Sequence, residues 1–180
     1  MSQEADTLTR TVPAQIDMYH ASVPILLRAL TNLKAILGKA EAWAEEKGVK
    51  ETTVLNARLA LDMLPFIKQI QIATDNAKGM AARLGGVENP AYTDEEATFA
   101  ELHERLQKTI DFIKSVDAKG FVGAETRDIV LKFPSRTMEF TGLSYLTGFG
   151  IPNFFFHVTT AYAILRHSGV PLGKPDFLGG

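Results

Sequence analysis

Between Ile16 and Ala44, apolar residues return at Ile16, Tyr19, Val23, Leu26, Leu30, Leu33, Leu37 and Ala40, in alternating steps of three and four. Only an α-helix brings such a series onto one face, and a stripe of that length must be covered by other elements. The chain is thereby directed toward helix-on-helix packing. Pro24 falls inside the stripe and removes one intrahelical hydrogen bond, so the pattern predicts either a kink there or a helix beginning nearer Val23. Gly48 supplies a stop.

A second stripe runs from Thr52 or Thr53, either able to cap an N-terminus, through Met63, Phe66, Ile67, Ile70, Ala73, Ala77, Met80 and Leu84 to Gly85-Gly86. Pro65 interrupts it, which predicts two helices meeting near residues 62–65 or one kinked helix. Thr93-Asp94-Glu95-Glu96 has the form of a capping box opening a third helix, whose buried stripe is Phe99, Leu102, Leu106, Ile110 and Ile113 and which ends near Ala118 to Gly120. Asp128–Phe133 and Thr137–Leu146 are rich in β-branched and aromatic residues and predict a short hairpin turning at Pro134-Ser135-Arg136. A last helix is expected from Pro152 to His167, with Gly169 and Pro171 ending it. The resulting fold class is mainly α: a four-helix bundle with a short β-hairpin before the last helix, in one domain over residues 1–180.

Composition narrows the function classes. A chain of 180 residues with 46% hydrophobic content can bury a core without staples, and with no cysteine it has neither disulfides, thiolate metal sites nor a cysteine nucleophile. Its net charge of −2 gives no general pull toward a polyanion, so no nucleic-acid partner is expected. Met1 to Thr11 carries Glu4, Asp6 and Arg10 without an apolar run, unlike a secretory signal, and cytoplasmic residence is the expectation. Phe154 to Leu165, the most apolar stretch, falls short of the roughly 20 residues of a spanning helix. No membrane partner is expected either.

Chemistry would have to come from a small set of side chains. The four histidines, His20, His103, His157 and His167, include no pair three or four apart, so no zincin-type motif exists. His103 lies beside Glu101 and Glu104 and reads as a solvent-facing residue, and His167 lies in the last turn of its helix, where a cation complements the dipole. His157 differs, because Asn153-Phe154-Phe155-Phe156-His157-Val158 sets an imidazole among aromatic rings, where it must find a hydrogen-bond partner. Asn153 stands one turn earlier on the same face, and His20 flanks the first helix's stripe. Asp62, Gln69 and Asn76 recur every seven residues as a polar seam facing solvent or an internal cavity, the solvated arrangement being the commoner. Asp75 and Lys78 read as a local surface pair. His157, Asn153, His20, Asp62 and Gln69 are therefore the candidate pocket residues, with no catalytic role assigned to any.

The segment Pro152-Asn153-Phe154-Phe155-Phe156-His157-Val158-Thr159-Thr160-Ala161-Tyr162-Ala163-Ile164-Leu165-Arg166-His167-Ser168-Gly169-Val170-Pro171 resembles the bacterial and fungal domain-of-unknown-function family nineteen-ninety-three. Asp62-Met63 and Gln69-x-Gln71, followed by Asp75, resemble the same family's second helix. That family is grouped with the DinB/YfiT-like proteins, and the resemblance implies a DinB-like four-helix bundle, often dimeric and often carrying a divalent metal on three histidines. In those metalloproteins the last helix typically carries a His-x-x-x-His pair. Aligning their leucine-arginine and glycine-valine-proline turn on Leu165-Arg166 and Gly169-Val170-Pro171 places that pair at Asn153 and His157, so one ligand is an amide here. The third histidine comes from their second helix, and this chain has none between His20 and His103. The resemblance thus implies a bundle whose metal site is lost, with no cofactor.

Two functions of different class are compatible with these residues. One is a non-metal, dimeric binding or structural module, the homodimer resting on apolar or small residues beyond the main stripe of the first helix, Ala21, Leu27, Ala35 and Ala42. The other is an enzyme of DinB-like transferase or hydrolase type, using a pocket around His157 with or without a divalent metal. Either would take a small-molecule ligand.

Overall fold

The computed structural model describes residues 16–180, so the expectation for Met1 to Thr11 lies outside the described residues. Four long helices carry the fold: α1 Val23–Lys47, α3 Phe66–Gly85, α4 Phe99–Ser115 and α6 Ile151–His167. Helix α3 packs against both α4 and α6, and α1 closes the ring against the same two, which makes a four-helix bundle. Shorter elements join them: α2 Glu51–Leu55, strands β1 Asp128–Phe133 and β2 Arg136–Thr141, α5 Gly142–Tyr145 and α7 Lys174–Leu178. Among the described residues no helix is long and apolar enough to cross a membrane.

Helix α1 starts at Val23 with Pro24 in its first turn, where a missing N–H costs nothing, so the helix is not kinked at that proline and Ile16 lies outside it, largely exposed. Leu26, Leu30, Leu33 and Leu37 are fully buried, as the stripe requires. Gly48 and Gly86 end α1 and α3 in the left-handed conformation that glycine adopts without strain.

Pro65 separates two helices, but the break spans residues 56–65, and Thr52 and Thr53 lie inside α2 rather than capping it. The capping box lies five residues further along than the Thr93–Glu96 pattern predicts: Thr98 Oγ1 accepts from Glu101 N at 3.2 Å, and Glu101 Oε2 accepts from Thr98 N at 3.0 Å. Glu96 and the Thr93 carbonyl accept instead from Arg105, each at 2.9 Å. Helix α4 then ends at Ser115, and Ala118–Phe121 forms a separate tight turn held by Asp117.

The hairpin pairs Asp128 with Thr141 and Phe133 with Arg136, leaving Pro134 and Ser135 as the turn. Its second strand stops at Thr141, not Leu146. Thr141 and Ser144 form a capping box there, and a side chain at Gly142 would collide with the Ala124 carbonyl, so the chain turns into α5 and a wide helical turn, Leu146–Gly150, that runs straight into α6. Arg127 donates to the carbonyls of Arg83 at 3.1 Å and Gly120 at 3.0 Å, which fastens the approach to the hairpin onto the end of α3. Beyond α6, α7 docks on α1, where Asn32 Nδ2 donates to the Phe177 carbonyl at 3.0 Å. Of the residues offered for a dimer face, Ala21 and Leu27 pack partly into the core, while Ala35 and Ala42 are exposed.

Candidate functional site

Helices α3 and α6 bring Gln69 and His157 together. His157 is 8% exposed, and its Nδ1 lies 2.8 Å from Gln69 Oε1. The amide of Gln69 is oriented from its other side, because Nε2 donates to the Leu64 carbonyl at 2.9 Å and a carbonyl can only accept. Gln69 Oε1 therefore accepts, His157 Nδ1 carries the proton, and Nε2 is the bare nitrogen. Burial pushes the His157 imidazole below its ordinary range, so the ring is neutral near pH 7. Gln69 is 1% exposed, and the pair is a neutral hydrogen bond inside the bundle.

The other candidates scatter. His20 is exposed, its ring Nδ1 2.8 Å from Asp17 Oδ1, in the turn before α1. Asp62 is exposed in the loop before Pro65, so it does not belong to α3 and does not meet His157. His103 is not simple surface: it is half-buried, with Nε2 3.4 Å from Glu41 Oε2 across the α1–α4 seam. His167 is exposed in the last turn of α6.

Asn153 lines a cleft of about 240 Å³ between α3, the hairpin and the turn into α6. The other polar residues of that cleft are Asp75, Asn76, Arg83 and Lys132, and its aromatic lining is Phe133, Tyr145 and Phe149. The seam divides here: Asp62 is solvated, whereas Gln69 is buried and Asn76 Oδ1 is buried with no hydrogen-bond partner among the described residues. Extending the seven-residue spacing of Gln69 and Asn76 by one step reaches Arg83, the signal through which the sequence could have disclosed this wall.

Arg83 donates to Tyr145 Oη at 3.2 Å, and among the described residues it has no carboxylate partner. The Tyr145 phenol is held above its usual range by burial, an effect that Arg83 opposes, so it keeps its proton. Tyr145 and Phe149 stack with centroids 6.1 Å apart and planes 22° apart. Asp75, read from the sequence as a surface partner of Lys78, is in fact matched by two buried cations, Arg105 Nη2 at 2.9 Å and Lys78 Nζ at 3.2 Å.

Arg105 is the centre of a second polar cluster that sequence reasoning missed. Its side chain is 2% exposed and reaches Thr74 Oγ1 at 2.7 Å, Glu96 Oε1 at 2.9 Å and Asp94 Oδ1 at 3.1 Å as well as Asp75. With its donors spent on protein acceptors, it ties the 93–96 segment to α3 and leaves nothing for a ligand.

The family model described as "Domain of unknown function (DUF1993)" matches residues 18–178. The chain belongs to this family. A crystal structure of a DinB family member protein from Shewanella denitrificans is 41% identical to this DUF1993 chain, covers 91% of it and 92% of its own length, and superposes with a TM-score of 0.84. None of the curated proteins matches it. The DinB-like bundle expected from the sequence is thus the observed one.

The metal site that the DinB resemblance implies does not fit this DUF1993 member. Among the described residues no three His, Cys, Asp or Glu side chains are placed to hold a metal ion together. At the position in question the imidazole leaves Nε2 bare, but Gln69 and Asn153 offer only amide groups to complete a ligand set, which zinc and nickel do not favour.

Proposed function

We propose that this chain is a non-metal binding module that assembles as a homodimer and holds a small molecule in the cleft lined by Asn76, Arg83, Tyr145 and Asn153. The observation that carries this reading is the buried, unpartnered Asn76 Oδ1 in the cleft wall. An acceptor left in that state costs about 1–3 kcal/mol, a cost that a ligand N–H or O–H donor would remove. Binding is favoured over catalysis at His157 because the imidazole lies outside the cleft lining and, among the described residues, neither Asp62 nor another carboxylate is paired with it.

A thermal-shift screen against small polar metabolites tests the cleft. A ligand should raise the Tm of the parent and leave Asn76→Leu unmoved, while the unliganded variant is as stable as the parent or slightly more so, having lost an unsatisfied group. Hits that stabilise Asn76→Leu equally, or a variant that loses about 2 kcal/mol by itself, would contradict the reading.

The homodimer draws support from apolar side chains left at the surface, Leu61 at 99% and Phe156 at 55% exposure, together with Ala35 and Ala42 on α1. Light scattering at micromolar concentration should give twice the 19.7 kDa chain mass, and a monomer alone would contradict it.

A further inference from the structure

The cleft's chemistry is specific enough to name a ligand class, an inference that rests on the binding function proposed above. At one end stands the Arg83 guanidinium. Helical side chains lean toward the N-terminus, and this one lies back across Gly79, where a Cβ would collide with Arg83 Nη1. The missing side chain at Gly79 is what lets the guanidinium reach Tyr145 and the cleft, and Tyr145 Oη accepts its hydrogen bond. That leaves the phenolic proton of Tyr145 with no acceptor among the described residues, although the ring is 1% exposed. Lys132 from β1 lines the same cleft, and among the described residues it too has no carboxylate partner. Two cations and one buried hydroxyl donor therefore face a cleft whose only acid, Asp75, is already matched by Arg105 and Lys78. That arrangement suits an anionic group with planar acceptors, which a guanidinium and a phenol hold as neighbouring donors.

At the other end stands Asn76 Oδ1, an acceptor with no donor. Asn76 and Arg83 are seven residues apart on α3, two helical turns, so they share the face of that helix that lines the cleft. Phe149, stacked with Tyr145, offers the cleft a flat apolar wall. We propose that the cleft takes a small planar aromatic acid, its carboxylate against Arg83, Tyr145 and Lys132 and its ring against Phe149.

Nuclear magnetic resonance titration with 4-hydroxybenzoate and its neutral isostere 4-hydroxybenzamide tests this. The side-chain amide signals of Asn76 and Asn153 should move saturably with the acid, and the amide probe should bind about tenfold more weakly or worse, the ordinary margin for a charge-assisted pair. Arg83→Gln should erase that preference and Arg83→Lys should keep part of it, with the rest of the backbone spectrum unchanged in both, so that loss of fold is not mistaken for loss of charge recognition. Equal binding of the two probes, or a preference that survives Arg83→Gln, overturns the acid and leaves the cleft as a ligand site. Asn76 and Asn153 signals that stay still with both probes also overturn it. The cleft itself falls only if the wider metabolite screen finds no hit dependent on Asn76.

Discussion

Arg105→Met should destabilise the protein by about 3–5 kcal/mol, the cost of removing one member of a buried ion cluster. The guanidinium is 2% exposed and stands between α3, α4 and the 93–96 segment, with Asp75 at 2.9 Å, Glu96 at 2.9 Å and Asp94 at 3.1 Å. Methionine fills similar volume but offers no donor, so three carboxylates and the Thr93 and Gln71 carbonyls lose a partner together. Glu96 suffers most, since it is the most buried of the acids. Arg105→Lys should recover little of the loss, because one ammonium cannot span acceptors arranged around a planar fork. Urea denaturation measures both variants; a drop below about 1 kcal/mol, the level of a surface ion pair, would show that the cluster is not what holds the 93–96 segment.

The second large effect is at His157. His157→Ala removes the donor to the buried Gln69 Oε1 and opens a cavity beside Phe154 and Val158, which together should cost about 2–4 kcal/mol. His103→Ala, whose ring is half-buried with one weak ionic neighbour, should cost no more than about 1 kcal/mol. The pH dependence carries a further signature. Burial holds His157 below the usual imidazole value of 6.5, so the unfolded chain takes up a proton more readily than the native one. Its contribution to stability is complete above about pH 6.5 and declines as pH falls from there toward the lowered native value. His157→Gln keeps an N–H donor for Gln69 and cannot titrate, so its stability should be flatter than the parent's on that acid side. Equal midpoints for parent and His157→Ala, or an unchanged acid slope in His157→Gln, would mean that the ring is neither buried nor bonded as described.

Periodicity alone located the four long helices, because a buried stripe such as Leu26, Leu30, Leu33 and Leu37 is a local property of the chain. Boundaries were less legible where two local patterns compete. Thr93-x-x-Glu96 and Thr98-x-x-Glu101 have the same capping-box spacing, and only Arg105, reaching from α4, decides between them by drawing Glu96 and the Thr93 carbonyl to itself. Likewise Thr137 to Leu146 has strand-like composition, yet the strand ends at Thr141, and Tyr145 and Phe149 stack at helical spacing after the turn at Gly142. The site divided in the same way. That His157 needs a partner followed from its aromatic neighbours, and Gln69 was among the candidates, whereas Asp62 and His20 failed because the loop at 56–65 and the turn before α1 carry them to solvent. Asn76 and Arg83 share a face of α3 with Gln69, but which neighbour covers that face is decided by the hairpin, a partner remote in sequence.

Elemental analysis of protein purified without chelator shows whether the neutral Gln69–His157 pair leaves any place for a metal. No stoichiometric zinc, nickel or iron is expected in the parent, and no change in metal content in His157→Ala. About one transition metal per chain in the parent, lost in His157→Ala, would contradict it.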